Sequence, residues 1–551
     1  MSSPGKLVLC VIDAMAPAML ERAVAEGVAP VLAALMARGS YVNDCVAAFP
    51  SVTPVCAASI VTGAAQDEHH IPGMNWFHRE EERYVEYGSS FRAGQRFGIT
   101  RQLTDLVYNM NRAHLSQQTP TVFETLDDAG QRTAGTTYLM YRGRHRHEPQ
   151  RDSALTRFAS RLMRHPVMGP RELFYADIFA SRPTGCRSGL GMPGVRDRHS
   201  GCVSAYMVEH DLFDFLLLSL PDNDWYSHKH GPEGQLRSIA QADLQLARVF
   251  DAGGGIDSFL QEHAVIVMAD HSQAPVESAI DLQEELAGLG VLQPEGANLL
   301  GALTGTRTQS RTRGADDGVG GPRIAVCPSQ RAAMVYALNE AERDAMRASV
   351  VARALAIEGV DLVAWLSYDA HDRPSEGVVS SPGRGELRFA PGGDLLDARG
   401  ASWHVDGALG VLDAAVRGGD NALTTPAYPD ALARLWPALT CPTSGEVLLS
   451  AAPGYEFVDW GGAAHVGGGS HGSLHVSDSL GALVLCGLEG GATGRRPTSR
   501  GGWDRLLQSD PDALPSGGRA SNPQWAIRDI APLVLRHFGL TAEGEQPPVG
   551  L

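Results

Sequence analysis

An α/β fold with a mostly parallel central sheet is predicted by three features of this 551-residue chain. Short, nearly continuous apolar runs occur at Lys6–Ile12, 213–219 (FDFLLLS), His263–Met268 and Leu480–Cys486. Such runs suit strands covered on both faces, as in parallel sheets. Helical periodicity fills the intervals, and the first three runs are each followed closely by an aspartate. Ligands of open parallel sheets collect beyond the carboxyl ends of the strands.

In chain order, Lys6–Ile12 reads as the first core strand. Pro17 then opens a helix that stops near Gly27, with proline in the first turn and glycine past the end. A second helix, a loop and a third helix follow. In FPSVTPVCAASIVTG, Thr53 reads as an N-cap and Pro54 as the first helical residue, with the helix running to Gly63. The expected organisation is core at 1–71, a cap-like insertion at 72–210, core at 211–274, a second insertion at 275–459, and core at 460–551. The second insertion reads as a small α/β subdomain, with strands at 323–326 and 360–366 flanking a helical pattern over 332–356. The polar, glycine-rich stretch 305–321 reads as a surface loop. The stretch NPQWAIRDIAPLVLRHFGL reads as a closing helix that packs on the core, and the tail after it as frayed.

Composition narrows the partner more than the reaction. A formal charge of −17 and 43% hydrophobic residues describe an acidic globular protein, whose field repels nucleic-acid backbones and anionic membranes. Divalent metals and a few arginines can reverse that field locally. No signal peptide and no apolar run of about 18 residues is read, so the cytoplasm is the expected location. The eight cysteines lack CxxC spacing and are expected to be reduced; Cys186 and Cys202, in a glycine-rich region, are the one pair to watch.

Several residues are candidates for chemistry, and each also fits an ordinary structural role. Asp224 and His228, four apart, share one face of a helical turn and either grip a metal together or form a solvated face. Asp270 and His271 follow a buried strand, as ligands or as a turn cap beside a surface histidine. Thr53 is a routine capping residue, or a hydroxyl held at the positive end of a helix where a phosphoryl group is favoured. His471 lies in GGGSHGS, with His465 and His475 as nearby alternatives. Asp13 ends the first strand. Arg142 and Arg144, in the basic run YRGRHRHEP, bind an anion or form a solvated charge run. Lys229 and His230, beside His228, are placed to meet a substrate.

Taken jointly, these motifs resemble the alkaline phosphatase superfamily, in its type I phosphodiesterase/nucleotide pyrophosphatase branch. The resemblance rests on Asp13 after the first strand, Thr53 nine residues before Thr62-Gly63, and Asp224 with His228 before Gly231-Pro232. Asp270-His271 and His471-Gly472 follow in the same order. It implies an alkaline-phosphatase-like three-layer core with two cap-like insertions and a pair of divalent metal ions, zinc by ligand type. One ion would be held by Asp224, His228 and His471, the other by Asp13, Asp270 and His271 with Thr53. It further implies a phosphohydrolase, a phosphodiesterase or nucleotide pyrophosphatase working through a phosphorylated Thr53. The expected partner is a small phosphate ester or nucleotide. A phosphomonoesterase, phosphonate hydrolase or phosphomutase of the same superfamily, or an inactive binding protein of this fold, stands as the alternative. A sulfatase is set aside, because Cys56-Ala57-Ala58-Ser59-Ile60 lacks the arginine its cysteine modification needs.

Overall fold

The computed structural model describes residues 4–294, 321–371, 373–419, 421–488 and 524–540. An eight-stranded sheet forms the centre, in the order Ser40–Val46, Leu480–Cys486, His263–Met268, Lys6–Ile12, Phe215–Leu220, Thr133–Thr136, Glu172–Tyr175, Phe179–Ala180. The five strands from His263–Met268 to Glu172–Tyr175 are mutually parallel. Along Lys6–Ile12 the side chains alternate between two cores, as a pleated strand requires. Leu7, Leu9 and Val11 join the core that contains Val55, Ile60 and Val61. Val8, Cys10 and Ile12 join the one that contains Leu20, Leu32 and Leu246. Helices on both faces of the sheet make the three layers.

Four expectations are corrected. Leu480–Cys486 runs antiparallel to both neighbours; a strand buried on both faces is apolar whichever way it points, so composition does not carry direction. Ser40–Val46 is an additional strand at the sheet edge. The stretch 72–210 is not a separable insertion, because it supplies Thr133–Thr136, Glu172–Tyr175 and Phe179–Ala180 to the central sheet. The pattern at 332–356 is not one helix. Ala332–Ala337 is a wholly buried strand paired with Ile324–Ser329, and the helix is Arg343–Ala354. Both strands belong to a nine-stranded second sheet that occupies much of 275–459.

The closing helix is present as Ile530–His537, with buried Ile530, Ala531, Leu533 and Val534. The expected loop lies, but for its last residue, outside the described residues, as does the tail after 540. No helix among the described residues is long and apolar enough to cross a membrane.

Cys186 and Cys202 are joined in a disulfide, with Cα atoms 5.9 Å apart, against the expectation of reduced thiols throughout. The turn-rich loop before Arg196–Glu209 folds back on that helix, a proximity that a spacing of 16 residues does not disclose. The remaining six cysteines are free and buried. Closing a loop of this length is worth about 3 kcal/mol. Reductant should therefore lower the unfolding midpoint correspondingly; an unchanged midpoint with both thiols alkylated would show that the loop holds without the bond.

Candidate metal centre

Adjacent parallel strands deliver most of the cluster. Asp13 directly follows Lys6–Ile12, Asp270 and His271 follow His263–Met268, and Asp224 lies in the first turn of the helix Asp222–His230 after Phe215–Leu220. The turn after Asp13 is tightly fixed. Ala14 takes a left-handed φ of 57°, its N–H donates to Asp270 Oδ1 at 3.1 Å, and Asn223 Nδ2 donates to the Asp13 carbonyl at 2.8 Å. His471 arrives from the opposite side on a glycine-rich loop. A Cβ at Gly468 would stand 2.0 Å from the His228 carbonyl, and Gly472 has a φ of +120° that a side chain would strain. These glycines let the loop close onto the helix.

The candidate ligands converge. His271 Nε2 lies 3.6 Å from Asp13 Oδ1 and 3.5 Å from Asp270 Oδ2. His228 Nε2 is 3.4 Å from Asp224 Oδ2, and His471 Nε2 is 3.5 Å from Asp224 Oδ1. Two sets, Asp13 with Asp270 and His271, and Asp224 with His271 and His471, bring their ligand atoms within 4.8 Å of one another. His271 is thus central, and His228 approaches through Asp224.

The donor chemistry fits divalent cations. The Nδ1 atoms of His228, His271 and His471 lie 2.8, 3.1 and 2.7 Å from the carbonyls of Gly469, Ser272 and Ser51. A carbonyl only accepts, so each Nδ1 carries a proton and each Nε2 is the ring atom turned inward, available to a cation, the arrangement that orients imidazole ligands. Asp13 Oδ1 and His471 Nε2 are buried without a hydrogen-bond partner among the described residues.

The carboxylates feel this crowding. Burial, then the charges of Asp270 and Asp224, push Asp13 well above the usual carboxylate range. Burial opposes ionisation of Asp224 too, but the charge and hydrogen bond of His228 beside it outweigh this and hold Asp224 well below that range. Burial, then His271, keeps the His471 imidazole neutral. Anionic groups so enclosed require positive charge nearby.

Thr53 stands beside this cluster, its Oγ1 3.3 Å from His271 Nε2. It is the first residue of the helix Thr53–Thr62, with Pro54 second and extended Val52 in the capping position, so the helix begins one residue earlier than expected. The hydroxyl still lies at the helix's positive end, where anions are favoured. Ser51 ties this segment to the His471 loop: its Oγ donates to the Ser473 carbonyl at 3.0 Å and accepts from Gly472 N at 3.1 Å.

The basic run is structural. Arg142 is buried, and its guanidinium donates to Glu124 and to the carbonyls of Leu115, Ser116 and Thr119, which occupies four of its five N–H groups. Arg144 pairs with Glu124 and Asp128. Lys229 and His230 are exposed, Lys229 Nζ lying 5.8 Å from the Trp225 ring and His230 packing on Tyr226 at 4.3 Å. Two further side chains reach His228. His465 stacks on His228 at 4.1 Å while its Nδ1 meets buried Glu456 at 2.8 Å, and Gln330 reaches His228 from the second sheet. His465 was legible as a histidine near His471; Gln330 had no sequence signal.

Residues 7–366 match the family described as type I phosphodiesterase / nucleotide pyrophosphatase. Murine ectonucleotide pyrophosphatase / phosphodiesterase 5 is similar in fold at 11% identity and a TM-score of 0.53, over 99% of this chain and 97% of its own. Its inactive form in complex with AMP gives 10% identity and a TM-score of 0.52, over the same 99% and 97%. Phosphonoacetate hydrolase from Sinorhizobium meliloti 1021 gives 16% identity and a TM-score of 0.47, over 88% of this chain and 94% of its own. Comparison with curated proteins finds no match.

Proposed function

Since the chain belongs to the type I phosphodiesterase/nucleotide pyrophosphatase family, hydrolases of phosphodiester or pyrophosphate bonds, we propose that it cleaves small phosphodiesters or nucleotide anhydrides through a phosphorylated Thr53, with two zinc ions as cofactors. The observation that carries this reading is the Thr53 hydroxyl, 3.3 Å from His271 Nε2 at the head of a buried helix and against the carboxylate–imidazole cluster.

Asp13, Asp270 and His271 would hold the ion next to Thr53, and Asp224, His228 and His471 the other. A bound metal pair supplies activation of a hydroxyl nucleophile and neutralises charge on the attacking and leaving oxygens. The remaining work falls to the chain. The helix Thr53–Thr62 aims Thr53 Oγ at phosphorus and sets its positive end against the transferring group. The Oγ–P bond forms as the leaving-group bond breaks opposite, and water then cleaves the phospho-threonine from the side the leaving group vacated. Two in-line displacements give net retention at phosphorus. The three carbonyl-bound imidazoles keep their ring planes fixed throughout.

Zinc-loaded protein is expected to cleave bis-p-nitrophenyl phosphate and p-nitrophenyl thymidine monophosphate in preference to p-nitrophenyl phosphate. Two metals per chain should be found by elemental analysis, with activity lost in EDTA and restored by zinc. Preference for the monoester, or full activity in EDTA with no metal bound, would sink the proposal.

A further inference from the structure

The hairpin joining Ile324–Ser329 to Ala332–Ala337 belongs to the second sheet, yet its turn ends at the metal centre. Gln330 sits there at a φ of +62°, a left-handed conformation that few residues other than glycine and asparagine adopt. Its neighbours fix it: Arg331 N donates to the His471 carbonyl at 2.9 Å, Phe457 N to the Gln330 carbonyl at 2.8 Å, and Ala451 N to the Arg331 carbonyl at 2.9 Å. A residue held against its backbone preference is common where the direction of its side chain matters.

The residue is 9% exposed, and its side chain is aimed at His228, with Nε2 to Nε2 at 3.4 Å. His228 Nδ1 faces the Gly469 carbonyl, which turns Nε2 toward the cluster, and the amide nitrogen of Gln330 is the atom placed nearest that Nε2. Gln330 Oε1 is left buried without a partner among the described residues. A buried carbonyl of this kind calls for a donor.

The His471 ring packs against both of the other imidazoles, 3.8 Å from the His271 ring and 5.2 Å from the His228 ring. His271 touches Thr53, and His228 touches Gln330. On the Thr53 reading, the leaving group departs opposite Thr53, and the water of the second displacement enters there. The departing oxygen carries negative charge and has no hydrogen to give a carbonyl. The water has one.

Resting on that reading, we infer that Gln330 is a further catalytic residue, whose Oε1 accepts a hydrogen bond from the water that hydrolyses phospho-Thr53. The water oxygen bonds to phosphorus as the P–Oγ bond breaks. One water proton ends on Thr53 Oγ and the other stays on the released phosphate product. Gln330 itself neither gains nor loses a proton, the role a glutamine amide plays for the attacking water in GTP hydrolases.

The test compares Gln330→Asn with the unsubstituted enzyme. Asparagine tolerates a left-handed φ but is one methylene too short to reach; Gln330→Gly, which removes any strain in the turn, serves as a second variant. Rapid-quench kinetics with p-nitrophenyl thymidine monophosphate read the two steps, and intact-mass analysis reads the phosphoryl adduct. Both variants are expected to release the first p-nitrophenolate at the unsubstituted rate. Steady-state turnover should fall about 100-fold while the adduct on Thr53 accumulates. If both steps slow together, or the adduct fraction is unchanged, the role of Gln330 is overturned and that of Thr53 stands. If no adduct forms in any protein and Thr53→Ala remains active, the Thr53 reading fails and this inference with it.

Discussion

Replacing Thr53 by alanine is expected to lower hydrolysis of a nitrophenyl diester by about four orders of magnitude or more, the scale seen when a covalent nucleophile is removed from an enzyme whose binding groups survive. The structural cost should stay near about 1 kcal/mol. Thr53 is half-buried at the first turn of its helix, Val52 holds the capping position, and among the described residues the hydroxyl bonds only to His271. The carboxylates and imidazoles are anchored independently of Thr53: Asp270 by two backbone N–H groups, His228, His271 and His471 by carbonyls. Metal content should therefore remain close to that of the unsubstituted protein, and the phosphoryl adduct should vanish. Residual activity above about 1% of the original would be far more than binding groups alone support, and would assign the attack to water.

The same anchoring explains why so much of this centre was legible in the sequence. Asp13, Asp224, Asp270 and His271 each lie at or just after the end of a strand that is apolar because helices cover both its faces, so local sequence marks the place where ligands gather. The glycines around His471 likewise betray the close approach at Gly468 and Gly472. What was not legible depends on contacts between distant segments. Ser40–Val46 carries the polar pair Asn43 and Asp44 in its middle and sits at a sheet edge, which hides it from an apolar-run criterion. Ala332–Ala337 is rich in alanine, the best helix former, and becomes a strand because Ile324–Ser329 and Val447–Ala451 pair with its two edges. Arg142 resembled an anion binder until three carbonyls and Glu124 were seen around it. Gln330 is a single residue in a hairpin turn, and only the fold brings that turn to His228.

The second large effect concerns the pair that holds the two sheets to this centre. Arg331 and Asp478 are both fully buried and 3.0 Å apart. The guanidinium also donates to the carbonyls of Tyr455 and Ala452 at 3.1 Å each, and Asp478 accepts from the N–H and hydroxyl of Ser473 at 2.8 and 2.6 Å. Arg331 comes from the hairpin that presents Gln330, and Ser473 lies two residues beyond His471, so the pair fixes one to the other. Asp478→Ala leaves a guanidinium buried without its counter-charge and should cost about 3–5 kcal/mol, the usual penalty for breaking such a pair. Arg331→Met with Asp478→Leu should recover much of that stability in urea unfolding, because apolar side chains of similar size often replace buried pairs at little cost. Zinc affinity and turnover should not recover with it, since Ser473 loses both Asp478 acceptors, leaving the His471 loop its bonds to Ser51 and the Arg331 N–H. Full recovery of zinc binding in the double variant would mean that the glycine loop holds His471 in place unaided, with the ion pair serving stability alone.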